Sequence, residues 1–100
     1  TVVDPDALSA LVHRAQRDGT IGMVGSTLLY YWRPTVVQAM GGATMHPRTA
    51  RMKHIGIGLS ATAVPASPDE VETQMAYVVG ASMLVSARFV EEVGLMCEDY

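Results

Sequence analysis

Two apolar spacings alternate along the chain. Leu8, Leu11, Val12 and Ala15 recur every three or four residues, the stripe of an amphipathic helix. Asp4 is placed to cap that helix and Pro5 suits its first turn, so a helix is predicted over about residues 5–16, closed by a turn at Gly19. Thr20 to Trp32 is rich in β-branched and aromatic side chains. Ile55 to Val64 sets Ile55, Ile57, Leu59 and Ala61 against Gly56, Gly58, Ser60 and Thr62, and both stretches are predicted as strands. A short helix after Pro34, stopped by Gly41-Gly42, would join the first strand to a loop around His46 and Pro47.

The C-terminal third carries the sharpest start signal. Ser67-Pro68-Asp69-Glu70 places a capping hydroxyl, a Pro in the first turn, acids near the positive helix end and a Glu three residues after the cap. Met75, Val78, Val85, Phe89 and Val93 then follow at helical spacings, which predicts one long helix from Ser67 to about Gly94. From Met75 to Ala87 no side chain is charged, the pattern of a helix covered nearly all round. Gly80, Ala81, Ser82, Ser86 and Ala87 keep it thin enough for close approach of another backbone. Met75, Val78, Val79, Ser82, Met83, Val85, Phe89 and Val90 are therefore the predicted assembly surface. The order helix, strand, short helix, strand, long helix is a small α+β fold filling residues 1–100 as one domain. Two strands make a poor sheet, so strands from a second subunit are expected to complete it. An all-α fold is the alternative, if the middle segments are Gly-interrupted helices.

Composition sharpens the expectation of assembly. Apolar residues make up 49% of the chain and charged residues 17%, against about 25% charged in ordinary soluble domains. A chain of 100 residues leaves roughly a third or more of its unfolded surface exposed after folding, so part of this apolar surface is expected against another chain. Cys97 is alone, which excludes an intramolecular disulfide and a multi-Cys metal site. No apolar run reaches the roughly 20 residues needed to span a bilayer, and Asp4 and Asp6 stand where a signal peptide would be basic. A soluble cytoplasmic protein without membrane partner, metal or cofactor is expected.

Charge is segregated. Gly19 to Ser67 contains no Asp or Glu, whereas residues 69–100 hold seven acids and one cation, Arg88; the whole chain has net charge −3. Within the acid-free middle, His46-Pro47-Arg48-Thr49-Ala50-Arg51-Met52-Lys53-His54 gathers three fixed cations and two imidazoles. Arg offers a bidentate fork to phosphate or carboxylate and Lys a point charge, so His46, Arg48, Arg51, Lys53 and His54 are candidate anion ligands. Tyr30, Tyr31, Trp32 and Arg33 supply rings and a guanidinium of the kind on which unpaired bases stack. The opposing expectation is that Arg48, Arg51 and Lys53 pair with Glu70, Glu72, Glu91 or Glu92 and the aromatics belong to the core or an interface.

No reaction is named by these residues. No His-x-x-x-His, Glu-x-x-His or paired Cys sets metal ligands on one face. The glycines of Gly19 to Thr27 lack the Lys of a phosphate-binding loop. Thr20-Ile21-Gly22-Met23-Val24 resembles the strand bearing the catalytic Thr in glycosylasparaginase-type amidohydrolases, but over five residues and no further motif, and it is read as an ordinary strand. The expected function is that of a small homo-oligomeric interaction protein, in which Arg48, Arg51 and Lys53 of one copy meet Glu91, Glu92, Glu98 or Asp99 of the next. The alternatives are a nucleic-acid-binding coat or packaging subunit and a small enzyme or binding domain for an anionic ligand at a subunit interface.

Overall fold

Helix α1 (Ala7–Gln16) forms where the apolar stripe predicts it. The Asp4 carboxylate accepts the Asp6 N–H at 2.8 Å, and the Ala7 N–H donates to the Asp4 carbonyl at 3.0 Å, so the chain enters the helix through a tight turn. The computed structural model describes residues 2–65 and 67–99.

The β-branched stretch after Gly19 becomes two short strands, β1 (Met23–Gly25) and β2 (Thr27–Tyr30). The chain turns back after β2 into an antiparallel partner, β3 (Arg33–Met40), and continues through Gly41 into β4 (Gly42–Met45). The short helix expected after Pro34 does not form. Thr35, Val36 and Val37 stiffen this segment at χ1, and the alternate residues Val37 and Ala39 are fully buried, the period of a strand rather than of a helix. Thr27 pairs with Met40 and Leu28 with Ala39. Beyond that point the ribbon forks. β1 leaves to pair with β7 (Met83–Val85), Met23 opposite Val85, while β4 pairs with β6 (Tyr77–Val78), Ala43 opposite Tyr77. β6 and β7 are consecutive strands that pair with β4 and β1 and not with each other, so the turn between them bridges the fork. β5 (Met52–His54) lies on the outer side of β4, giving the order β5-β4-β6.

The fork depends on glycine. A Cβ on Gly25 would run into the carbonyl oxygen of Gly41 and come within 2.8 Å of Val78 Cγ1, so only a bare backbone allows the two chains to cross there. The crossing is tied by the Val79 N–H donating to the Gly41 carbonyl at 3.1 Å and the Ser26 N–H donating to the Ser82 carbonyl at 3.2 Å. The Ser26 and Ser82 hydroxyls add a bond of 2.7 Å.

The predicted helix from Ser67 to Gly94 is replaced by three elements. Helix α2 (Asp69–Glu72) starts as the Ser67-Pro68 signal requires, with Ser67 Oγ accepting the Asp69 N–H at 3.4 Å, but it lasts four residues. Thr73 Oγ1 and Gln74 Nε2 both donate to the Glu70 carbonyl, at 3.2 and 2.8 Å, and compete with continuation of the helix. Tyr77-Val78 and Met83-Leu84-Val85 then take the strand conformation their β-branched and aromatic residues favour, with Gly80 in the turn between them. Helix α3 (Ala87–Val93) has its own cap, the Ser86 hydroxyl, which accepts the Phe89 N–H at 3.1 Å. Uncharged on all sides proves to mean two short strands in separate sheets, not a buried helix. Met75, Val78, Val79, Ser82, Met83, Val85, Phe89 and Val90 consequently lie on a loop, two strands, a turn and α3, and each is half-buried within the domain instead of sharing one face.

Ile55 to Val64 is not a strand either. Gly56 and Gly58 have φ of 74° and 83°, so the alternating glycines generate consecutive turns. The segment still borders β3: the Val37 N–H donates to the Leu59 carbonyl at 2.8 Å, and the Met40 N–H to the Ile55 carbonyl at 2.8 Å. A 3₁₀ turn (Ala61–Ala63) comes next, capped by Ser60. Val37, Met40 and Ile55 form the buried core, with Val64, Val71 and Met75 packed against it. The chain thus supplies seven strands of its own among the described residues, where two were expected.

Gly25→Ala should lower stability by about 3 kcal/mol or more, since overpacking against fixed backbone exceeds the usual cost of an added methyl. Gly19→Ala, at a site with nothing within 4 Å of the added Cβ, should shift it by about 0.5 kcal/mol or less. Urea denaturation of the two variants makes the comparison.

Candidate functional site

Two regions of the fold offer surfaces to another molecule. The first is a cleft of about 670 Å³ between α1, β1 and the segment from Val64 to Met75. Its walls are mainly apolar: Leu11, Ile21, Val24, Val71, Met75 and Val78. Seven consecutive residues, Ile21 to Thr27, line it, which a strand does only when its backbone edge faces the space. The hydrogen bonds agree. The Gly22 carbonyl accepts from the Ser86 N–H and the Ser26 N–H donates to the Ser82 carbonyl, so on this ladder the backbone groups of Met23 point away from β7.

A bidentate ion pair ties α1 to α2 beside this cleft. Arg14 Nε donates to Glu72 Oε1 at 2.9 Å and Arg14 Nη2 to Glu72 Oε2 at 2.7 Å. The hydrogen bond to Glu72 holds the Arg14 guanidinium above its ordinary pKa, so the guanidinium stays charged throughout the accessible range. At the turn from α1 into β1, the Asp18 carboxylate accepts the Thr20 N–H at 2.9 Å and the Thr20 hydroxyl at 2.7 Å. Those two bonds hold Asp18 below the usual carboxylate range. Nothing in the sequence pairs Arg14 with Glu72 across 58 positions. The only local sign is the exposed side of the α1 stripe, on which an Arg is unremarkable.

The second region is the β4–β5 hairpin, where the structure places His46, Arg48, Arg51, Lys53 and His54. The strands register Ala43 with His54, Thr44 with Lys53 and Met45 with Met52, and the His46 N–H donates to the Arg51 carbonyl at 2.8 Å. Side chains alternate across a strand, so His46, Arg51 and Lys53 share one face with Thr44. Met45, Met52 and His54 share the other with the buried Ala43. Arg48 lies in the connecting loop, which turns through Ala50 at φ 54°. The His46 Nδ1 accepts the Arg48 and Thr49 N–H groups, both at 3.4 Å, and so shapes the loop rather than facing a ligand.

Arg48, Arg51 and Lys53 do not form the ion pairs considered for them. Among the described residues, Glu72 is taken by Arg14 and Glu92 by Arg88, the latter at 2.8 Å. The aromatics are not core. Tyr30 ends β2, Arg33 opens β3 opposite it, and Tyr31 and Trp32 form the turn between, their rings edge to face at 4.8 Å and Trp32 88% exposed. The basic and aromatic candidates thus occupy the ends of two different hairpins. Cys97 is exposed, and among the described residues no group of three or more His, Cys, Asp and Glu could hold a metal ion. No helix of the described residues is long and apolar enough to cross a membrane. No known protein family, curated protein or solved structure matches the chain.

The Thr20 bonds favour the ionised form of Asp18, so its contribution is complete above the carboxylate range of the unfolded chain and disappears as pH falls through its own, lower pKa. Asp18→Ala should accordingly be less stable than the parent protein at neutral pH. The gap should close on acidification below the ordinary Asp range, as followed by thermal melts across a pH series.

Proposed function

We propose that the protein is a self-associating interaction domain whose structural role is assembly rather than chemistry. One observation carries the reading. The folded chain exposes 7794 Å², whereas a compact monomer of 10.7 kDa exposes about 5,500 Å². Its radius of gyration, 14.2 Å, likewise exceeds the roughly 13 Å of a compact chain of this length.

Among the described residues five hydrophobic residues are buried, Val37, Ala39, Met40, Ala43 and Ile55, while Leu8, Met23, Tyr31, Trp32, Met45, Met52, Leu95 and Met96 all remain exposed. At about 25 cal/mol per Å² of apolar surface removed from water, covering even part of this area outweighs most of what the small core contributes. Two open strand edges, on β1 and β5, add backbone groups that a neighbouring chain can satisfy. Such a surface is the composition of an interface resembling a core cut in half.

Light scattering on the purified protein, with absorbance read at 260 and 280 nm across the peak, tests the reading. The expected result is a discrete homo-oligomer free of nucleic acid. A monomer at all concentrations would overturn it. A particle with excess 260 nm absorbance would transfer the function to the cationic hairpin.

A further inference from the structure

Two exposed segments of this fold complement each other in apolar content and in charge, and among the described residues neither is covered by the rest of the chain. The first is the β4–β5 hairpin. Met45 and Met52 stand 50% and 62% exposed on one face, beyond the edge of the core, and Arg51 and Lys53 occupy the other. β5 is the outer strand of its sheet. The Ile55 N–H donates to the Gly42 carbonyl and the Arg51 carbonyl accepts from His46, so by alternation the N–H and C=O of Met52 point outward from β4. The second segment is the chain after α3. Leu95 and Met96 are 85% and 79% exposed, and Glu98 and Asp99 lie just beyond them, also exposed.

We infer that residues 94–99 of one copy dock along β5 of a second copy. With side chains alternating along the docked segment, Leu95 covers Met45 and Met52 while Glu98 meets Arg51 and Lys53 on the opposite face. The inference rests on the self-association proposed above and names the surfaces that carry it. An edge strand bearing an exposed Lys normally repels other strands, because pairing would desolvate the ammonium group. A segment that brings its own carboxylates removes that penalty, so the same Lys53 that blocks indiscriminate pairing selects an acidic partner. Arg48, in the loop at the end of the hairpin, adds a third cation within reach of an incoming acidic segment. The acids are not matched inside one chain: among the described residues Arg14 and Arg88 are the cations in ion pairs, and neither pairs with Glu98 or Asp99.

Charge reversal on each side, followed by mixing, tests the contact. The doubly substituted variants Arg51→Glu/Lys53→Glu and Glu98→Lys/Asp99→Lys should each associate at least tenfold more weakly than the parent protein in low salt. An equimolar mixture of the two should recover the parent mass, because each variant then offers the surface its partner requires. Recovery on mixing also establishes that both variants are folded. A parent oligomer that neither variant perturbs would overturn this contact while leaving self-association standing. A monomeric parent protein would overturn both. Loss of nucleic acid, rather than of mass, in the Arg51→Glu/Lys53→Glu variant would show that the hairpin serves a polyanion, and would likewise overturn the contact.

Discussion

The close crossing of Gly25 and Gly41 is the constraint on which the rest of the structure depends. Two extended chains run together from Tyr30 and Arg33 to Thr27 and Met40 and must then separate, because β1 and β4 take different partners. Separation requires the backbones to pass with no side chain between them, and Val78 of β6 packs over the crossing. Once β6 and β7 occupy the fork, β4 is held between β5 and β6, and the β4–β5 hairpin projects from the sheet. Helix α3 leads directly out of β7 to cover Gly22, where an added Cβ would meet Phe89 at 2.6 Å. The exposed basic hairpin and the exposed acidic segment after α3 are both consequences of this one crossing.

How much of this is legible in the sequence varies with whether the signal is local. Helix α1 is, because its stripe and end lie close together, although it starts at Ala7 behind Asp6 and the Asp4 carboxylate bonds the Asp6 N–H instead of capping the first turn. The cap at Ser67 is equally legible, but its consequence is not. Start signals fix where a helix begins and say little about how far it runs, and here Thr73 and Gln74 turn their side chains onto the Glu70 carbonyl. An uncharged stretch such as Met75 to Ala87 fits a covered helix and a pair of short strands equally well on polarity alone. Its β-branched residues, Gly80 and the second capping serine, Ser86, favour the strands. At Ile55 to Val64 the period is that of a strand, and tertiary context overrides it, since glycines at Gly56 and Gly58 leave the backbone free to turn.

The candidate site divides in the same way. The cationic hairpin is visible as composition, because its residues are contiguous, and its strand register sorts them into a methionine face and an Arg51/Lys53 face. The cleft beside β1 is invisible, being assembled from three separated segments and tied by an ion pair between positions 14 and 72. The imbalance between apolar content and chain length points to exposed apolar surface without locating it. Helical spacing puts that surface between Met75 and Val90, whereas strongly exposed apolar side chains stand before and on α1, on the Tyr31-Trp32 turn, on the β4–β5 hairpin and on the segment after α3.

The proposed contact between residues 94–99 and β5 also bears on symmetry. A six-residue segment against a three-residue strand is well below the about 20–30 residues a side of an ordinary stable interface, so one such contact is weak. A filament uses the contact once per junction and gains nothing further. A two-fold dimer uses it twice, each copy giving its acidic segment and receiving the other's. The second docking is then intramolecular and proceeds at a high effective concentration. With so little buried in the isolated chain, a closed dimer of this kind satisfies the exposed methionines, the unmatched cations and the open β5 edge together, whereas an open array leaves one set uncovered at each end.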